Sequence, residues 1–263
     1  MKICSMTTDR KKLVMELADI LGVKPEYKGA PTFMYQIGDY KVMKDGSIEV
    51  EDGKADAAVL RDLNAKGMID NSWDTNREVI SIKLPYEGHT GQSLINLTYI
   101  IASRSKLINK SIGCMEAFEI NERFIEKLME AVPETVEDFL KTVEAVDANS
   151  TNEGVVFEPD GIILNGFPAD DNPEAVKSYM DLVALVNKMA LTQNRVHLDS
   201  SDVENERYSF RTWLLRLGMK GDDYKVTRKI LLERLDGNSA FRTADQAEAF
   251  KEKHRVKKEE GKE

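Results

Sequence analysis

Cysteine is almost missing: Cys4 and Cys114 are the only two in 263 residues, far apart and outside any metal-ligand spacing. That excludes a disulfide framework and a thiolate zinc site, and it points to a reducing compartment. Histidine is nearly as scarce. Nucleophilic catalysis needs a serine or cysteine poised near a histidine and an acid, and His89, His197 and His254 carry no such setting. No apolar run approaches the roughly 20 residues of a membrane-spanning helix. The opening MKICSMTTDRKK holds too short a hydrophobic stretch for a signal peptide. A cytoplasmic protein without membrane contact, cofactor, metal or enzymatic activity is therefore expected.

What is present is an ordinary globular balance, 41% hydrophobic and 32% charged, on a chain long enough for two modules or one large domain. The net charge of −9 disfavours a bulk electrostatic grip on DNA and leaves only a local basic patch for that purpose.

The expected fold class is α+β. A first module over residues 1–67 reads α-β-β-β-α. Its first helix carries Leu13, Leu17, Ile20 and Leu21 on one face, capped by Thr8 and ended by Gly22. A three-stranded meander follows, turning at Gly38-Asp39 and at Asp45-Gly46, the latter a turn with two positive φ angles. A helix over 54–65 packs through Ala58, Leu60 and Leu63. Residues 66–77 are rich in Asn and Asp, without a period, and read as a connection.

A middle module over 78–195 reads β-α-β-α-β-β-α. EVISIKLP is a strand. EGHTGQS opens one helix reaching Gly113, with Thr90 as N-cap and Leu94, Leu97, Ile101 and Ile108 as its stripe. MEAFEI is a strand, Asn121 caps a helix, Pro159-Asp160-Gly161 turns a hairpin, and Asn172-Pro173 starts a long helix. Within it, residues 133–171 form an acidic sector opposed only by Lys141. Its charges include Glu134, Glu137, Asp138, Glu144, Asp170 and Asp171, which suit a flexible linker or a surface offered to a basic partner.

A basic helical pair spans 200–242 and a charged tail 243–263. Ser201 and Glu204 read as a capping box, Phe210, Trp213, Leu214 and Leu217 as the buried face, and Gly218 and Gly221 as brackets of the turn. Outside lie Arg207, Arg211, Arg216, Lys220, Lys225, Arg228, Lys229, Arg234 and Arg242. These suit DNA or RNA phosphates, an acidic protein partner, or simple solvation of a packed pair.

Two further stretches carry chemistry-bearing letters. EGHTGQS resembles a phosphate site but lacks a Gly-Lys-Ser/Thr ending, and an ordinary N-cap with His89 at the surface explains it equally. HLDSSDVENE clusters His197, Asp199, Asp202, Glu204 and Glu206, yet matches no calcium-loop or paired-histidine pattern, and acids at a helix start complement its dipole.

Three segments together, KPEYKGAPTFMYQIGDYKVMKDGSIEV, ISIKLPYEGHTGQSLINL with LINKSIG, and ENERYSFRTWLLRLGMKGDDYKVTRKILLERLDGNSAFR, resemble the "virulence-related protein" family. Phages, plasmids and conjugative elements of gut clostridia and related Firmicutes carry that family. The resemblance brings no catalytic motif. It implies a mobile-element accessory protein: an inhibitor of a host defence nucleoprotein such as a CRISPR effector, or a factor binding the element's own DNA or RNA, with an enzyme of unrecognised type as the third reading.

Overall fold

The computed structural model describes residues 1–7, 9–51, 53–70, 73, 78–114, 117–152, 154–169, 172–198 and 205–240. The fold is α+β, as expected, and its apolar side chains gather into two separate clusters.

The first cluster belongs to residues 3–69. Strand β1 (Lys2–Ile3), helix α1 (Arg10–Leu21), strands β2 (Glu26–Tyr27), β3 (Tyr35–Ile37), β4 (Tyr40–Val42) and β5 (Ile48–Val50), and helix α2 (Ala57–Ala65) follow in order. The expected meander is the centre of a five-stranded antiparallel sheet, ordered β1-β5-β4-β3-β2. The two outer strands have two residues each, too short to show alternation in a sequence. Along one face Ile3, Ile48 and Val42 pair across strands and bury against Leu13, Leu17, Leu60 and Leu63.

Several local expectations shift. The helix α1 cap is Asp9, whose side chain accepts from Lys12 N–H; Thr8 lies outside the described residues. Ile20 and Leu21 are only half-buried, while Val14 and Ala18 complete the face. Asp45 does not take a positive φ. Its carboxylate accepts from Ser47 N–H at 3.0 Å and Ser47 Oγ at 2.6 Å, so Gly46 alone supplies the left-handed residue. In α2, Ala58 is exposed and Val59 is buried in its place. The connection begins later than 67, because Met68 and Ile69 are core residues held by Met6 N–H to Met68 O and a Ser5–Ile69 bridge.

The second cluster runs from residue 94 to 235. Its elements are β6 (Val79–Leu84), α3 (Gly91–Ala102), α4 (Ser105–Ile112), α5 (Glu122–Ala131), α6 (Val136–Ala145), α7 (Ala148–Thr151), β7 (Val155–Glu158), β8 (Gly161–Pro168), α8 (Pro173–Thr192), α9 (Glu206–Leu217) and α10 (Lys225–Leu232). The sheet is antiparallel, ordered β6-β8-β7, with the hairpin at Glu158–Gly161 where expected. Helix α3 is buried all round because α5, α6 and α8 all pack on it.

The expected single helix from 90 to 113 breaks at Ser103–Arg104 into α3 and α4. The expected strand at 115–120 is not one over its described residues, 117–120. There the Asn109 side chain accepts from Phe118 N–H at 3.0 Å and takes the place of a ladder bond. The acidic sector is no linker: α6, α7 and the β7–β8 hairpin fill it. Phe124, Phe139 and Phe157 meet at centroid distances of 4.9 to 5.9 Å and fasten α5 and α6 onto β7. Phe210, Trp213, Leu214 and Leu217 of α9 and Leu231 of α10 join this same cluster. Asn205 caps α9, whereas the Ser201 and Glu204 capping box lies outside the described residues. Among the described residues no helix is long and apolar enough to cross a membrane.

A polar seam joins the two clusters. Lys110, with its side chain 7% exposed, meets Glu206 Oε2 at 2.6 Å and Asp236 Oδ2 at 2.8 Å. Asp236 also receives Lys12 of α1 at 3.1 Å. Arg234 donates to the carbonyls of Asn64 in α2 and Ser111 in α4, and the Asn64 amide donates to Gly113 O. Gly67 lies so close to Arg234 that a Cβ would sit 2.4 Å from the Arg234 carbonyl oxygen.

Burial pushes the Asp236 carboxyl up, but the hydrogen bond and charge of Lys110, then those of Lys12, outweigh it and hold the pKa below the usual aspartate value. Such a group contributes stability above its unfolded value of about 3.9. That contribution is lost as pH falls through the folded value. Thermal unfolding from about pH 7 to about pH 2.5 is expected to show a steeper acid loss in the wild type than in Asp236→Asn. Lys110→Ala, which leaves Glu206 and Asp236 facing each other, is expected to lose about 2–4 kcal/mol at neutral pH.

Candidate interaction surfaces

The nine cations expected to form one basic surface divide by what their head groups touch. Arg207 donates to Glu233 O at 2.9 Å. Arg228 donates to Met219 O at 2.7 Å and Gly221 O at 3.0 Å, and so ties down the turn between α9 and α10. Arg234 braces the seam. These three guanidiniums donate to backbone carbonyls within the fold, a structural task that their spacing in the sequence does not reveal. Arg216, Lys220, Lys225 and Lys229 are exposed, Arg211 is half-buried, and none of the five has an ion pair with a described residue. Lys225 and Lys229 are one turn apart on α10. Arg242 lies outside the described residues.

The acids sort differently. Glu137 and Asp138 open α6 and share Lys141 at 3.0 and 3.2 Å. The Asp138 carboxyl is held below its usual range, first by the Thr135 hydroxyl and then by Lys141. Glu134 and Glu144 are exposed, while Asp170 and Asp171 lie outside the described residues. Glu158 and Asp160 are matched by Lys83 from β6 at 3.1 and 2.7 Å.

Helix α5 adds a feature that sequence reasoning missed. Glu122, Glu126 and Glu130 recur every four residues and are all exposed, a stripe visible in the sequence once the acids are counted from 122 rather than 133. Met129 stands among them at 52% exposure, and Val132, which ends the helix, is 57% exposed. Val132 has φ 41, a left-handed conformation that a β-branched residue takes only under constraint. Acids and apolar side chains thus share one corner, where α5 packs on α6.

The turn before α3 is not an anion cradle. Gly91 N–H donates to Glu134 O at 2.9 Å, Ser93 N–H to Thr90 Oγ1 and Thr90 N–H to Ser93 Oγ, so these amides are satisfied internally by a capping box and a neighbouring strap. Gly91 is required here, since a Cβ would lie 2.1 Å from the Pro133 carbonyl oxygen.

His89 is not at the surface. It is 8% exposed, with Nε2 2.9 Å from Asn187 Oδ1 and Nδ1 2.9 Å from Ser93 Oγ. Nε2–H donates to the Asn187 side-chain oxygen, while the one Ser93 hydroxyl hydrogen is shared between Nδ1 at 2.9 Å and the Thr90 carbonyl at 3.0 Å. The serine lies under the cap of its own helix, which makes this a lock between α3 and α8. Glu206, from the acidic stretch weighed as a metal site, is bound to Lys110, and Asp199, Asp202 and Glu204 lie outside the described residues. No three His, Cys, Asp or Glu among the described residues are grouped to hold a metal ion.

Compared with protein-family models, with curated proteins and with solved structures, the chain matches none. The surfaces themselves carry the functional argument.

Two outcomes are expected. Arg234→Ala is expected to lose about 1–3 kcal/mol in denaturant unfolding, whereas Lys225→Glu with Lys229→Glu stays within about 0.5 kcal/mol. Burial pushes the His89 imidazole down, with the Asn187 hydrogen bond pulling partly back. Its contribution is full above the unfolded value of about 6.5 and is lost as pH falls through the folded value. The melting temperature of the wild type is therefore expected to fall more than that of His89→Gln between about pH 7.5 and about pH 5.5.

Proposed function

We propose that this protein acts in the cytoplasm by non-catalytic macromolecular binding, laying the acidic α5–α6 corner on a basic surface of a host defence nucleoprotein, a CRISPR effector being the kind of target in view. The carrying observation is a corner where exposed carboxylates without ion pairs to described residues stand beside the exposed apolar Met129 and Val132. Arg207, Arg228 and Arg234 bind backbone carbonyls within the fold, while Glu122, Glu126, Glu134 and Glu144 are exposed without an ion pair to a described residue. A row of free carboxylates addresses the lysines and arginines with which such a machine grips nucleic acid. Met129 and Val132 supply apolar contact at its centre, as the core of an interface requires. The family resemblance, which implies an accessory protein of a mobile element, agrees with this role.

The exposed Arg216, Lys220, Lys225 and Lys229 support a second reading, a DNA- or RNA-binding factor of the element itself. Affinity purification from host lysate separates the two. Under the first reading the tagged protein retrieves a basic nucleoprotein, and Glu122→Lys with Glu126→Lys weakens retrieval at least about tenfold, while Lys225→Glu with Lys229→Glu leaves it unchanged. The reverse pattern would establish the second.

A further inference from the structure

The N-terminal module carries a surface that neither charge face explains. Strands β2 and β3 pair at Glu26↔Gln36 and Tyr27↔Tyr35, and Lys28 N–H extends the ladder to Met34 O, so residues 29–33 form the tip of a hairpin at the sheet edge. Three aromatic rings gather there. Tyr27 and Tyr35 are 4.9 Å apart between centroids; Tyr27 is 52% exposed and Phe33 38% exposed. Rings this open to water in so small a module do no core work, and the apolar cluster beneath is complete without Tyr27 and Phe33.

The rings are held in place. Phe33 has φ 52, a conformation disfavoured for a bulky residue, and Arg10 fixes it by donating to the Phe33 carbonyl as well as to Val42 O at 3.0 Å. The same guanidinium lies 4.8 Å over the Tyr35 ring. Lys44 stands 5.5 Å over Phe33. Lys28 and Lys44 are exposed beside the tip, and Glu26, paired with Lys28 at 2.6 Å, is the one acid on these two strands. The result is a set of exposed ring faces bordered by cations on a protein whose overall charge is negative.

From this arrangement we infer that the β2–β3 hairpin is a binding site for single-stranded nucleic acid, with bases stacking on Tyr27 and Phe33 and phosphates meeting Lys28 and Lys44. Unpaired bases offer free π faces to such rings, whereas bases inside a duplex already stack on one another. The cations complement the strand's backbone, and that complementarity favours nucleic acid over a proline-rich peptide, which would use the rings but leave the positive charge unmatched. The site is independent of the acidic corner and of the α9–α10 pair, to which nucleic-acid contact would otherwise be assigned.

The test is fluorescence anisotropy of the full chain with labelled oligothymidylate and oligouridylate of about 12 nucleotides at low salt. Expected are binding that weakens as salt rises, weaker binding of duplex than of single strand, and a loss of about tenfold or more in Tyr27→Ala with Phe33→Ala. Tyr27→Phe with Phe33→Trp keeps the stacking faces and is expected to keep the affinity, which guards against loss through misfolding. Lys28→Glu with Lys44→Glu is expected to weaken binding and flatten its salt dependence. Lys225→Glu with Lys229→Glu and Glu122→Lys with Glu126→Lys are expected to leave hairpin binding in place, so the outcome stands apart from that of the lysate experiment. The inference is overturned if wild type binds no single strand at low salt, if the ring-deleted protein binds as tightly as wild type, if duplex binds as well as single strand, or if a proline-rich peptide displaces the oligonucleotide.

Discussion

Everything beyond the two separate cores depends on one buried ammonium group. Lys110 leaves water in α4 and is compensated by two carboxylates that reach it from the α9 start and from just past α10, while one of those carboxylates also holds Lys12 of the small module. A charge in such a place is tolerated only with its partners complete. It therefore dictates where α9 begins, where the chain turns after α10 and how α1 sits against both. Asp236 N–H donating to Glu206 and Arg207 N–H donating to Asp236 O show the same economy: the backbone at this junction is bonded to the groups that neutralise the lysine.

The distribution of surface charge follows from that junction. Arginines near it and in the adjoining turn are drawn into holding loops and seams, so the helical pair offers mainly Arg216 and three lysines to a partner. Of the acids of α5 and α6, Glu122, Glu126 and Glu144 are exposed and have no ion pair with a described residue. They ride on helices packed against α3, whereas Arg216, Lys225 and Lys229 ride on helices packed against α8. The two candidate charge surfaces thus sit on different helices of the larger body, and the aromatic hairpin belongs to a different module again.

Much of this was legible in the residues. The β3–β4–β5 meander, the caps at Thr90, Asn121 and Asn172, the hairpin after Glu158 and the buried face of α9 are local patterns, written at spacings of two, three and four residues. Helix α6 was legible too, since Thr135 and Asp138 stand at capping distance before an apolar run, but the density of acids drew attention to charge rather than period. Other features depend on distant partners and leave no local trace. His89 is buried by Asn187 across 98 positions, and Arg234 finds Asn64 across 170. Gly91 looks like a loop glycine until the strap at Pro133 and Glu134 is laid across it. The nine cations looked equivalent in sequence because a head group's occupation by carbonyls is a tertiary fact.

The separateness of the two apolar clusters has a mechanical meaning. Cooperativity in a protein travels through shared close-packed side chains, and here it must cross a narrow bridge of ion pairs and amide contacts instead. Residues 3–69 thus gather their own close-packed cluster, and what passes between it and the larger body passes through charged and amide groups.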